Sequence, residues 1–243
     1  MIWLMRPAND ERMEIGSKKW KQLIVDGAKN FNIQIDRNQV EQFAVHALEL
    51  LKWNQKTNLT AITAPAEVAI KHFLDSIVAG NLIDPNDKLL DIGSGGGFPG
   101  IPLKIMTPSL SVTLIDASRK KVSFLKHVIR TLKLEKTEAR HVRAEDFAKD
   151  REIQNRFEVI ISRALTSIKD FVLLAAPLLT ADGTIIALKG PEMNQELEAV
   201  RRRSDQNPTV VEISGIQFLL NMKTYSLPYL ELQRTLVSLR IYD

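Results

Sequence analysis

Asp91, Gly93, Gly95, Gly97 and Gly100 fall within one short stretch, Leu89-Leu90-Asp91-Ile92-Gly93-Ser94-Gly95-Gly96-Gly97-Phe98-Pro99-Gly100. An apolar run enters it and a helical pattern leaves it, near Pro99 to Met106. Glycines so spaced let a backbone turn sharply and come close to a ligand. In an open α/β sheet that ligand lies outside the carboxyl ends of the strands. Two cofactor chemistries compete for such a turn. Gly95, Gly97 and Gly100 match G-x-G-x-x-G, the dinucleotide fingerprint of a nicotinamide enzyme. Asp116, at the end of the next predicted strand, suits the ribose diol of either a dinucleotide or S-adenosylmethionine. A turn with no ligand is the third possibility.

Three observations favour S-adenosylmethionine. Asp91 and the glycines after it form D-x-G-x-G, in which a carboxylate helps hold a cationic group and would repel a pyrophosphate. Pro99 and Pro102 remove N–H donors from the helix start, where a pyrophosphate needs them. The antiparallel ending described below suits the seven-stranded methyltransferase sheet. Further on, Ala144-Glu145-Asp146 follows a predicted third strand. An acid there, with a neighbouring N–H, suits an adenine edge: Glu145 or Asp146 would accept from the exocyclic amine. Equally, both acids would serve as caps for the following helix.

These residues require particular elements around them. Before Asp84 the pattern is helical, with a stripe from Val40 to Leu51 capped by Asp36, a helix opening at Pro65 that turns Val68, Ala69, Phe73 and Ile77 inward, and a third helix over Lys18 to Phe31. Asp84-Pro85-Asn86-Asp87 marks a turn. Strands are predicted at Lys88 to Ile92, Ser111 to Asp116, Glu158 to Ser162 and Thr184 to Lys189, and helices at Lys120 to Lys133 and Ile168 to Leu179. Such alternation builds a mostly parallel sheet covered on both faces. Thr209 to Phe218 and Leu232 to Ile241 each read as a strand, paired as an antiparallel hairpin at one edge. The organisation expected is a helical segment over residues 1–86, its first residues a loose extension, followed by an α/β domain over residues 87–243.

Composition narrows the chemistry. The 243 residues are 44% hydrophobic and include no cysteine, which excludes disulfides, thiolate metal sites and a thiol nucleophile and fits the cytoplasm. No apolar run approaches the ~20 residues that span a bilayer, so no membrane partner is expected. Met1 to Met5 is apolar but lacks the features of a signal peptide. A net charge of +4 favours a polyanionic partner. Basic clusters stand at Lys18-Lys19-Trp20-Lys21, Arg119-Lys120-Lys121 and Arg201-Arg202-Arg203, the first with an aromatic that would stack on a base; each would otherwise be a solvated helix face. No metal motif is present, and nothing demands a dimer, so a monomer is expected.

Several motifs occur together in one order: Asn58-Leu59-Thr60-Ala61-Ile62, Lys71-His72-Phe73-Leu74-Asp75-Ser76, the glycine-rich stretch through Leu103, Arg143-Ala144-Glu145, Ile161-Ser162-Arg163-Ala164 and Ala187-Leu188-Lys189-Gly190. In these the chain resembles the RsmG (GidB) family of bacterial 16S ribosomal RNA guanine-N7 methyltransferases, from about Gln39 onward. The resemblance implies a class I S-adenosylmethionine-dependent methyltransferase fold with an N-terminal helical cap, and one guanine of 16S rRNA in the small ribosomal subunit as methyl acceptor. By position it implies cofactor contacts at Gly93, Phe98, Asp116, Ala144, Glu145 and Arg163, to which the reading of the turn itself adds Asp91 and Gly95. Arg143, Arg163 and Lys189 match basic positions important in the family; Arg143 and Lys189 are expected at the RNA, with Arg163 and Lys189 positioning the substrate. A non-catalytic RNA-binding assembly factor would share these motifs.

Guanine N7 carries a lone pair and no proton, so its methylation needs alignment and exclusion of water rather than a general base. Arg163 and Lys189 then suit phosphate, guanine O6 or the cofactor carboxylate. His72 reads as a half-buried structural histidine or as a site residue. Asn58 reads as a substrate contact or as the brace of a turn, and Asp75 and Ser76 as pocket lining or as local hydrogen-bonding groups.

Overall fold

A computed structural model describes residues 13–163, 167–190 and 210–242. Met1 to Met5, the Arg201-Arg202-Arg203 cluster and Ala164 lie outside the described residues. Three helical stretches come first. Helix α1 (Lys18–Lys29) is capped by the Ser17 hydroxyl. Helix α2 (Arg37–Thr57) opens with a capping box in which Asp36 and Gln39 satisfy each other's backbone N–H groups. The third is composite: α3 (Pro65–Glu67), a π-helical turn (Val68–Leu74) and α4 (Asp75–Ile77) run on without a break. The four side chains expected to point inward here, Val68, Ala69, Phe73 and Ile77, are all buried. The π turn is not written in the periodicity. Such turns concentrate at functional sites, and this one carries Lys71 and His72.

One eight-stranded sheet follows, in the order β3-β2-β1-β4-β5-β8-β7-β6. Strands β1 (Lys88–Ile92), β2 (Ser111–Asp116), β3 (Thr137–His141), β4 (Phe157–Arg163) and β5 (Leu179–Lys189) are parallel. Strand β8 (Leu232–Ile241) lies antiparallel between β5 and β7 (Ile216–Leu227), and β6 (Val210–Ile213) adds an edge beyond β7. The antiparallel ending is as the sequence predicts, with one difference. Of the predicted run Thr209 to Phe218, Thr209 lies outside the described residues, and the rest is not a single strand but two arms of a hairpin. Ser214 and Gly215 both take positive φ, 55° and 82°, as a tight two-residue hairpin turn requires. That turn creates β6 and brings the sheet to eight strands instead of seven.

Helices cover both faces. Phe124 and Leu125 of α6 (Arg119–Thr131) and Ile101 and Leu103 of α5 (Gly100–Met106) pack on one face, in the same cluster as Trp20, Phe43 and Phe73 of the N-terminal helices. On the other face lie Phe147 of α7 (Ala144–Lys149) and Ile168, Phe171 and Val172 of α8 (Ile168–Ala175). Trp20 is therefore not a surface stacking residue. It is fully buried, its indole N–H donates to the Pro65 carbonyl at 2.8 Å, and its ring meets Phe73 edge-on at 5.8 Å. The helical period places it on the inner face of α1 while its basic neighbours face outward.

Helix α1 approaches the π turn closely at Gly27. A β-carbon there would stand 2.4 Å from Leu74 Cδ1, and Leu74 is fully buried. Gly27→Ala gains ~1 kcal/mol in helix propensity, but overpacking a closed core costs ~1–3 kcal/mol. The expected outcome is a net loss, read as a melting temperature a few degrees lower; an unchanged or higher value would show that the two elements are not in tight contact.

Candidate active site

The glycine-rich turn leaves β1 at the carboxyl edge of the sheet. Gly93 takes φ of 74° and Gly97 φ of 88°, in the left-handed region that side chains disfavour. The Gly93 and Ser94 N–H groups both donate to the Ile115 carbonyl, which fastens the turn to the end of β2. Asp116 finishes that fastening. Its Oδ2 accepts from Gly95 N–H at 3.0 Å and its Oδ1 from Ser118 N–H at 2.8 Å, so the carboxylate is held at a fixed angle beside the turn.

A cleft of about 600 Å³ opens there, lined by Gly93, Asp116, Arg143, Ala144, Glu145 and Asp170, with the apolar Ile92, Ile115, Val142, Leu173 and Leu174. Five of the expected site residues are thus gathered in its walls. Arg143 is the N-cap of α7, and Glu145 and Asp146 lie in its first turn; Glu145 lines the cleft, whereas Asp146 does not and lies 3.9 Å from Lys149. Asp170, Leu173 and Leu174 were not singled out by sequence. The signal was present, since Ser167 caps α8 by accepting from Asp170 N–H and so fixes which face of α8 meets the sheet edge.

Asp91, Phe98 and Arg163 do not line this cleft. They lie on the opposite face, toward the N-terminal helices. Asp91 is fully buried; its Oδ2 accepts from Gly100 N–H at 2.9 Å, while its Oδ1 has no partner among the described residues. Burial raises its carboxyl from 3.8 to about 7, against the opposing pull of the Gly100 N–H and the Arg163 charge. A β-carbon on Gly100 would come within 2.8 Å of Asp91 Oδ2, so glycine is needed for this contact. The Phe98 ring is sandwiched, with His72 parallel at 4.4 Å and His46 parallel at 4.7 Å. The Arg163 guanidinium lies 5.1 Å from the same ring, donates to the Lys71 carbonyl at 2.8 Å and reaches His72 Nδ1 at 3.1 Å.

That contact fixes the state of His72. Arginine only donates, so Nδ1 accepts, and the proton sits on Nε2, 2.9 Å from the Thr60 hydroxyl. Burial, then the neighbouring Arg163 charge, lowers the imidazole to about 2. Asp75 is also buried; it accepts from Tyr225 Oη at 2.7 Å and lies 3.8 Å from both Arg163 and Arg234. Burial raises its carboxyl and the two arginines pull it down. Ser76 bonds only locally, to the His72 carbonyl. Lys189 ends β5, half-buried, opposite Thr235 of β8. Asn58 stands apart from these groups, exposed, as the left-handed cap of α2 with φ of 49°. The brace of that turn is Asn54, whose side chain holds Leu59 N–H, Thr60 N–H and the Thr60 carbonyl.

The model of the GidB family, rRNA small subunit methyltransferase G, matches residues 39–215. The chain belongs to this family. Proteins named ribosomal RNA small subunit methyltransferase G are 38% identical in a Thermoanaerobacter strain (91% of this chain, 90% of the relative), and 40% identical in Geobacter sulfurreducens (89% and 95%). Among solved structures, a SAM-dependent methyltransferase from Aquifex aeolicus superposes with a TM-score of 0.52 at 16% identity, covering 79% of this chain and 98% of that one. TYW2 of M. jannaschii, in complex with AdoMet, gives 0.50 at 12% identity over 70% and 74%. The fold of this GidB family member is thus that of a class I methyltransferase, and the expected alternative of a nicotinamide oxidoreductase has no support among these relatives. Within that fold the mostly apolar cleft beside the glycine turn, with the Asp116 carboxylate oriented in its wall, fits a nucleoside.

The raised Asp91 carboxyl has a consequence for stability. The folded protein holds this proton up to about pH 7, whereas the unfolded chain releases it near 3.8. The stabilisation from protonation is complete below the unfolded value and is lost as pH rises through 7. Asp91→Asn should therefore melt progressively higher than wild type, both without ligand, between pH 5 and pH 8. A wild-type-minus-variant difference that is flat across this range would show that Asp91 is not buried as described.

Proposed function

We propose that this protein transfers the methyl group of S-adenosylmethionine to N7 of one guanine in 16S rRNA of the small ribosomal subunit. Membership of the GidB family supports rRNA methylation. The observation that favours N7 is the state of the imidazole beside Arg163. His72 is neutral, and both its ring nitrogens are engaged, so it offers no base. An acceptor atom that bears no proton needs none.

In this reading the cofactor supplies an activated methyl on a sulfonium, and the chain's residues bind and align. Asp116, already oriented by Gly95 and Ser118, takes the ribose diol. Ile115, Val142, Leu173 and Leu174 enclose the adenine, with Ala144 and Glu145 at its polar edge. Asp91 acts from behind the turn, fixing it through the Gly100 N–H. Arg163, held from behind by Lys71 and His72, keeps its remaining donors for the cofactor carboxylate or for guanine O6. Lys189 and Arg143 face the RNA. A cation placed against the ring nitrogen would oppose the positive charge the base acquires, so the basic groups act at O6 and the phosphates.

Labelled S-adenosylmethionine supplied to small subunits from cells lacking the enzyme should label one guanine of 16S rRNA as N7-methylguanosine. Cofactor binding without any transfer would instead support the assembly-factor reading. Gly93→Ala should lose S-adenosylhomocysteine binding at least tenfold while still folding. Arg163→Ala should lower transfer by ~100-fold, as loss of one preorganised electrostatic group does, with a smaller effect on melting; wild-type turnover would remove Arg163 from the site.

A further inference from the structure

His46 lies in the middle of α2, is fully buried and belongs to none of the motifs quoted above. Its Nε2 is 2.8 Å from the Gly96 carbonyl. A carbonyl only accepts, so Nε2 carries the proton and donates. Nδ1 is then a bare acceptor, and it has no partner among the described residues. Leaving a buried polar atom unpaired is costly, and the stack on Phe98 would be served as well by a phenyl ring. What a phenyl ring does not supply is the donor to Gly96.

That donor acts on one peptide plane. The carbonyl of the Gly96–Gly97 peptide accepts from His46, and its N–H donates to the Ser94 carbonyl at 2.7 Å. The plane is thus held from both sides. The Ser94 carbonyl that receives this N–H shares a peptide plane with Gly95 N–H, the group that orients Asp116. Helix α2 also meets the turn directly, since a β-carbon on Gly96 would stand 2.9 Å from Leu50 Cδ1. We infer that His46 is a positioning residue for the cofactor: its Nε2–H sets the Gly96–Gly97 peptide and, through Gly95, the carboxylate that receives the ribose. The inference rests on the S-adenosylmethionine reading of the cleft. Burial keeps the ring neutral, lowering it to about 4, so the donor tautomer holds throughout the neutral range.

Three variants test it. Gln in place of His46 sets an amide N–H near the position of Nε2; Asn is too short to reach Gly96; Phe keeps the stack and has no donor. Binding of S-adenosylhomocysteine by the wild-type chain is measured first, and its absence would overturn the reading of the cleft rather than the role of His46. Given binding, His46→Gln should stay within about twofold of wild type. His46→Asn and His46→Phe should weaken by about three- to tenfold, the worth of one hydrogen bond. The loss should appear in KM for S-adenosylmethionine, with kcat at saturating cofactor unchanged within about twofold. Should His46→Phe fail to fold, the Gln and Asn pair carries the comparison. Equal affinity for Gln and Asn would overturn the inference. So would losses that follow melting temperature alone, or that fall on kcat.

Discussion

The contact between Asp91 and the Gly100 N–H is the one on which the rest of the site depends. It ties the last residues of β1 to the first residue of α5 and closes the glycine-rich turn between them into a loop of fixed shape. Everything in that loop is then disposed by geometry: Gly93 and Ser94 hang from β2, Gly95 from Asp116, Gly97 from Ser94. The cost is a carboxyl group in an apolar interior with one oxygen unpaired. Burial of that kind is tolerated where a ligand or a nearby charge offsets it, and Arg163 contributes such a charge.

From this turn two different environments diverge. On the side of α8 the cleft is mostly apolar with acids at its rim, suited to a nucleoside. On the side of the N-terminal helices lie Arg163, Asp75, Arg234 and Tyr225, with the Phe98 sandwich beneath. Buried carboxyl groups face the guanidinium groups there, Asp75 both Arg163 and Arg234 and Asp91 the charge of Arg163, so these charges are largely paired within the fold.

Much of this was legible in the sequence because it is local. Asp36 and Gln39 announce the start of α2, and Asp91 with its glycines announces the turn, since each depends on residues a few positions apart. Contacts across long separations were not legible. Tyr225 lies 150 positions from Asp75, and His46 lies 50 from Gly96; no spacing rule links either pair. The π turn was hidden because its buried residues fit an α-helical stripe equally well. The Ser214-Gly215 turn was hidden because apolar residues continue on both sides of it, so the run read as one strand. Trp20 was misread for a related reason: a cluster of charges drew attention to composition, while the helical period decides which member faces inward.

The core that joins the N-terminal helices to the sheet has a further consequence. Trp20, Phe43 and Phe73 share one cluster with Leu89, Leu114, Ile161 and Ile186 of the strands, and Asp75 bonds to Tyr225 beside it, so helical segment and sheet are joined by one core. The segment is not a detachable module. Exchanging it for the corresponding segment of a relative would carry across half of a jigsaw whose other half is the sheet face, including the residues that meet Gly27, Leu50 and His46. This scaffold therefore tolerates change at exposed side chains of α1 and α2 more readily than the recombination of whole segments.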